Sequence, residues 1–387
     1  MNMKRKKLNN LKFIRNIIIS IVSLLIVAII INIAPGYKRD EYTNVINLII
    51  NEENKTGDLK HDIYVNENGT VYISEEDVKN LFDATIYHDE KYNQIITTSD
   101  TKVANIVIDE KQMIVNNSQV GMLDSIIRIN DNIYLPISDM SIVYSINISY
   151  IQSTNKVIID KLDKGMIKAK VTEDSDIKFK PRGLSKKVGT VKQGESVFCF
   201  YTTSKGWRQI RTENGILGYI KANKLTSEYI VRQDMIRRKK ASVISKDTYM
   251  SNKFEISESS GAKKIFLKDM FNINDGSIEV KNDNQNVEDS YRLWVSLSNK
   301  TLEKQINILL EDYKSRTKLI NAVVSNCIEN NINGVSIDFS NIDNENIMRF
   351  IIELTPKLRE IGITTCVVLN NNINKQDVLS IVDYIVE

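Results

Sequence analysis

From about Arg232 to its last residue the chain alternates short apolar runs with amphipathic ones, which limits this stretch to β/α units on a largely parallel sheet. Ala241–Ser245 and Lys264–Leu267 read as buried strands, and Arg292-Leu-Trp-Val-Ser-Leu as a third. Between Leu302 and Glu329, Leu302, Ile306, Leu309, Leu319, Val323 and Cys327 recur at near-helical spacing, which predicts two helices. Ile332-Asn-Gly-Val-Ser-Ile-Asp-Phe-Ser340 is the next strand. Glu345–Leu354 is a helix continuing past Pro356, Ile363–Leu369 a further strand, and Ile381–Glu387 the opening of a sixth. A closed β/α barrel takes about 250 residues and eight strands. Only 155 residues follow Arg232. The expectation is a partial barrel with open edges, from an interrupted gene or one that a partner chain completes.

Charge narrows the partners. Residues 1–16 hold six bases (Lys4, Arg5, Lys6, Lys7, Lys12, Arg15) and no acid, so the other 371 residues carry 46 bases against 49 acids. No basic body exists to neutralise a phosphate backbone, and nucleic acid is not an expected partner. Cys199, Cys327 and Cys366 are far apart, form no C-x-x-C, and accompany only His61 and His88. A disulfide framework and a Cys/His zinc site are therefore excluded as organisers, and neither metal nor cofactor is expected. Cys199 and Cys366 sit in apolar runs and read as small core hydrophobes.

After the basic cluster, Ile17 to Ala34 reads as 18 residues without a charge. At 1.5 Å per residue such a run covers about 27 Å, close to a hydrocarbon core of ~30 Å. The expectation is a cytoplasmic tail over 1–16 and a transmembrane signal anchor over 17–35 in the lipid bilayer. A cell-membrane, single-pass protein with an extracytoplasmic bulk follows. A cleaved signal peptide is the alternative.

A linker over 36–59 follows, with a polar, helical stretch at Glu41–Ile50. Then come short β-favouring runs at Asp62–Val65, Thr70–Ile73, Gln94–Thr98, Val103–Ile108 and Gln112–Val115, separated by Asn, Asp and Gly turns. They contain a repeat. Tyr72-Ile-Ser-Glu-Glu-Asp-Val leads to Ala84-Thr-Ile-Tyr-His-Asp, and 62 residues on Tyr134-Leu-Pro-Ile-Ser-Asp-Met leads to Tyr144-Ser-Ile-Asn-Ile-Ser-Tyr and Lys156-Val-Ile-Ile-Asp. Each copy says strand, short helix, strand pair. Residues 60–160 resemble the N-terminal domain of copper amine oxidases. That resemblance implies a spacer, an adhesion unit or a plain scaffold, and no copper, because no His cluster is present.

Between Met166 and Leu225 short strands meet at glycine turns, which suggests a small barrel over 166–226. Gly189-Thr-Val-Lys-Gln-Gly-Glu, Gly206-Trp207 and Gly215-x-x-Gly-Tyr219-Ile, in that order, resemble a bacterial SH3-like domain. The resemblance implies contact with peptidoglycan or its peptides. Trp207 and Tyr219 either offer stacking surface to such a ligand or pack the barrel's own core. The first strand, Asp176-Ile-Lys-Phe-Lys-Pro-Arg, departs from the family's usual start.

The block ending at Ser340 resembles the fourth strand of glycoside hydrolase family 18, D-G-x-D-x-D-x-E. Arg316 and Leu319-Ile320 upstream and Arg349-Phe-Ile-Ile-Glu-Leu-Thr-Pro-Lys-Leu-Arg downstream fit that context. The resemblance implies that the last Glu protonates the glycosidic oxygen, while the preceding Asp positions the substrate's own acetamido group as nucleophile. Gly334 and Asp338 match; Asn333 and Ser336 replace acidic positions, and Ser340 stands where the proton donor belongs. Ser336, Asp338 and Ser340 share the strand face that opens to a barrel mouth, and Asn333 needs a bulge to join them. A serine hydroxyl gives up no proton at neutral pH, and losing general-acid help costs roughly 10²–10⁴-fold in rate. Asp343 and Glu345 lie beyond the strand. Trp294 either lines a sugar subsite or belongs to the core.

The expected fold is thus multidomain, α+β and α/β: a transmembrane helix, an α+β repeat domain, a small SH3-like β-barrel and, over 232–387, a partial (β/α) barrel. The expected function is binding of cell-wall or N-acetylated glycan without cleavage. An active family 18 hydrolase is the alternative, and a purely structural wall-facing protein the third reading.

Overall fold

The computed structural model describes residues 15–27, 42–202, 206–234, 240–258, 261–281, 287–300, 302 and 305–387. Residues 15–27 are helical and exposed, and 28–35 of the expected anchor lie outside the described residues. Among the described residues no helix is long and apolar enough to cross a membrane. The transmembrane anchor over 17–35, the bilayer as partner and the single-pass placement are corrected accordingly. What the described residues form is a sheet-rich, multidomain α+β chain.

Two compact units are present: the described residues up to Val65 with Ser145–Asp234, and Asn66–Tyr144 with the described part of Met235–Glu387. In the first, a four-stranded sheet runs Ile146–Ile151, Lys156–Lys161, Asn47–Ile50, Glu53–Asn54. Asn47–Ile50 is therefore a strand, not the helix expected over 41–50. Leu48, Ile49 and Ile50 are buried and pair in parallel with Val157, Ile158 and Ile159. A short apolar run carries no periodicity that separates strand from helix, and the sheet decides. Glu53–Asn54 folds back on it, so the expected linker is in part sheet.

The same unit holds a seven-stranded antiparallel sheet, ordered Lys187–Val191, Ser175–Lys178, Leu217–Lys221, Trp207–Thr212, Ser196–Thr202, Met166–Lys170, Tyr229–Arg232. Ala169, Val171, Ile177, Val197, Ile210 and Ile220 fill its core. Gly218 admits no side chain, since a Cβ would lie 2.4 Å from Ile177 and 2.8 Å from the Lys178 carbonyl. Buried Arg211 ties this sheet to the four-stranded one. Its guanidinium donates to both Asp160 oxygens at 2.7 and 3.0 Å and to the Asn51 carbonyl at 2.7 Å. Such a bidentate, charge-assisted pair meets most of the hydrogen-bonding demand that burial imposes, and only the guanidinium Nε finds no partner among the described residues.

In the second unit the repeat is visible in the pairing. Val71–Ser74 runs into the helix Glu75–Leu81, and Asn132–Pro136 precedes the helix Ser141–Tyr144. The two equivalent strands lie side by side, antiparallel, with Tyr134 opposite Ser74 and Pro136 opposite Tyr72. Ser74 caps its helix by accepting from the Asp77 N–H at 3.1 Å. A five-stranded antiparallel sheet follows in chain order: Tyr87–Asp89, Gln94–Thr98, Val103–Val107, Gln112–Val115, Ser118–Gly121.

The C-terminal part supplies β1 (Ser242–Ile244), α1 (Lys246–Met250), β2 (Lys253–Glu258), β3 (Gly261–Asn274), β4 (Ser277–Val280) and β5 (Tyr291–Ser298). It continues with α2 (Ile306–Glu311), α3 (Tyr313–Glu329), β6 (Gly334–Asp338), α4 (Asn344–Glu360), β7 (Thr364–Val368), α5 (Lys375–Val378) and β8 (Tyr384–Val386). The sheet order is β1-β8-β7-β6-β5-β3-β2, and every neighbour is parallel except β2 on β3. The first strand thus sits beside the last rather than beside β3. The hairpin strand β2 covers the edge of β3. Val335 and Ile337 pack with Leu319, Val323, Phe350 and Leu354 of α3 and α4 in one core. Trp294, Phe254, Ile265, Tyr249 and Tyr384 form a second.

Candidate functional site

Strand alternation sorts β6. Val335 and Ile337 belong to the helix-side core, which leaves Gly334, Ser336 and Asp338 on the opposite face. Gly334 has no room for a side chain: a Cβ would lie 2.4 Å from the Trp294 indole nitrogen. Trp294 is 1% exposed and meets Phe254 and Tyr384 edge-on, at centroid distances of 6.0 and 5.5 Å. It packs the interior as part of that core.

Ser336 is fully buried, its hydroxyl 2.9 Å from that of Tyr249. Burial pushes the Tyr249 phenol up to about 12 and the Cys366 thiol, beside the same serine, to about 12. Both stay protonated at neutral pH and form a closed polar cluster beneath the strand end. Asp338 is exposed at that end. Its carboxyl is raised above the ordinary range, chiefly by the packed atoms around it; Lys300 and Lys246 oppose the shift and Asp269 adds to it.

Ser340 lies two residues past the strand. Its N–H donates to Asn299 Oδ1 at 2.9 Å, and Asn299 Nδ2 donates to its carbonyl at 2.8 Å. Asn299 is itself buried, so the backbone of Ser340 is clamped where the resemblance expects a proton donor. Asp343 is the residue before α4, with its N–H on Asn307 Oδ1 at 2.9 Å, and Glu345 pairs with Arg349 at 2.5 Å on that helix. Asn333 does not join the group. Its Oδ1 accepts from the Leu293 N–H at 3.0 Å at the start of β6, about 16 Å along the strand from Asp338. Among the described residues the β6 block therefore offers the Asp338 carboxyl, the half-buried Ser340 and the sealed Ser336 hydroxyl, with Asp269 on β3 near enough to act on Asp338. Among the described residues no three metal-ligating side chains converge, there or elsewhere.

A different surface is open. On the seven-stranded sheet a groove of about 510 Å³ is lined by Trp207, Ile220, Lys178, Lys221, Lys224 and Asp176, among others. Trp207 is 6% exposed, and the Lys221 ammonium stands 4.6 Å from the centre of its rings. Lysines at the rim are matched by acids: Lys192 holds the Asp174 carboxyl below its ordinary range, and Lys187 and Lys178 do the same for Asp176. Tyr219 is half-buried and is not part of the groove lining among the described residues. Of the two aromatics expected to stack on a ligand, the structure places only Trp207 there.

Comparison with known proteins gives one family match: the copper amine oxidase N-terminal domain over residues 50–159. No curated protein matches the chain. Among solved structures there is weak similarity to chitinases and cortex-lytic enzymes. A group IV chitinase of Ostrinia furnacalis is 17% identical with TM-score 0.28, over 38% of this chain and 50% of that one. A chitinase of Chromobacterium violaceum is 12% identical with TM-score 0.28, over 38% and 55%. The spore cortex-lytic enzyme SleL of Bacillus cereus is 12% identical with TM-score 0.27, over 42% and 43%. The chain spans about half the length of these structures.

Proposed function

We propose that this chain binds peptidoglycan or another N-acetylated glycan without cleaving it. The observation that carries this is the clamped Ser340, in a block resembling family 18, with Asp338 the one carboxyl that β6 itself carries. A single carboxyl can orient an acetamido group but cannot also protonate the leaving oxygen in the same step. The interior that would admit a sugar is filled by Trp294, Phe254 and Tyr384. Binding then falls to the groove over Trp207, where an aromatic face beside lysines and hydroxyls suits a sugar or a wall peptide. In this scheme residues 60–160 act as spacer, 166–226 as the SH3-like binding module and 232–387 as a degenerate hydrolase-like domain.

The competing reading, an active hydrolase, draws on Asp338, whose carboxyl stands at the strand end and is raised above its ordinary range. Incubating the full chain with chitin oligomers and with peptidoglycan separates the two. Retention without release of reducing ends supports binding; turnover supports the enzyme.

A further inference from the structure

Within the second unit a cleft of about 310 Å³ lies between the five-stranded sheet and helices α3 and α4, away from both surfaces described above. One wall is apolar, made by Ile96 and Val103 with the ring of Tyr313. The other is polar. Asn105 is 7% exposed, and among the described residues its Nδ2 has no hydrogen-bond partner. A buried donor left unpaired loses the hydrogen bond it had to water, so its retention calls for an acceptor. Lys357 faces the same space. Its ammonium donates to Asn117 Oδ1 at 2.9 Å and Asn321 Oδ1 at 3.2 Å, both neutral, which leaves one of three donors. Among the described residues no carboxylate forms an ion pair with it. The acid in the lining, Glu353, is already neutralised: its Oε1 accepts from Arg316 Nε at 2.8 Å and from the Tyr87 hydroxyl at 2.6 Å. Burial lowers the Lys357 ammonium, with Glu353 and Glu360 opposing.

We propose that this cleft binds a small carboxylate with an apolar body, of the size of one apolar amino acid. One carboxylate oxygen takes the Asn105 amide and the other the Lys357 ammonium, while the body lies against Ile96, Val103 and Tyr313. The volume stands at the small end of ligand pockets, which run about 300–1,000 Å³. This site is independent of glycan binding at Trp207.

The test uses the full chain, ¹⁵N-labelled, titrated with sodium 3-methylbutanoate, sodium benzoate and, as neutral control, 3-methylbutan-1-ol. The expected result is a saturable shift of the Asn105 side-chain amide pair, together with a rise in melting temperature, for at least one carboxylate, at Kd of about 1 mM or tighter. The alcohol leaves the pair in place. Lys357→Met weakens the response at least tenfold. Asn105→Leu, which removes the orphan donor at similar volume, abolishes the rise in melting temperature. The proposal is overturned if neither carboxylate moves the amide pair, if the alcohol moves it equally, or if Asn105→Leu still responds like the parent chain.

Discussion

Trp207 and Trp294 are the same residue type, both nearly buried, and both sit on central strands of their sheets. Their surroundings make them opposites. Trp207 forms the floor of an open groove, with a lysine over its ring and ion-paired acids at the rim. Trp294 is enclosed by Phe254, Tyr384 and the bare backbone of Gly334. Fractional exposure hardly separates them, at 6% and 1%. What separates them is whether the exposed sliver opens onto space lined by polar groups. The β/α half has turned its aromatic inward, and the small β-sheet has kept one at a surface.

Substitutions test this contrast. Trp294→Ala removes the largest fully buried side chain and should cost about 3–5 kcal/mol in urea unfolding. A variant as stable as the parent would show that the indole is not a core element. Gly334→Ala forces a methyl into the indole and should cost about 1–3 kcal/mol in the same measurement. At the groove, Trp207→Phe keeps an apolar filler but shrinks the stacking face. Retention on peptidoglycan should weaken about tenfold, near 1.4 kcal/mol, whereas Trp294→Phe leaves it unchanged. Equal loss from both would erase the distinction. The smallest effect belongs to Asp338. Its carboxyl holds a proton more tightly folded than unfolded, so it favours the fold below the ordinary value near 3.9, and that contribution is lost as pH rises through the folded value. Asp338→Asn should remove this pH dependence and leave stability at pH 7 equal or slightly higher, read from urea midpoints across the acid range.

Local pattern revealed a good part of this. The alternation in Val335, Ser336, Ile337 and Asp338 placed the right residues on each face of β6, because period 2 depends on nothing outside the strand. Repeat spacing found both strand–helix copies and did not show that their strands pair with each other. Leu48-Ile49-Ile50 misled because a three-residue apolar run fits either element until its partner at Val157–Ile159 is known. The hairpin strand β2 was missed: Lys253-Phe-Glu-Ile-Ser-Glu alternates, but the β/α pattern around it masked that signal. The place of β1 beside β8 joins residues about 140 apart and leaves no local trace. The apolar run after Asn16 gave an anchor by length alone, and among the described residues no helix is long and apolar enough to cross a membrane. Asn105 and Lys357 could not be joined from sequence, since neither belongs to a motif and only folding brings them to one cleft.

The central claim is glycan binding without hydrolysis, and reducing-end release from peptidoglycan and chitin oligomers at neutral pH tests it most directly. The full chain should retain these polymers and release no ends above a protein-free control. Steady turnover that disappears in Asp338→Ala would contradict it.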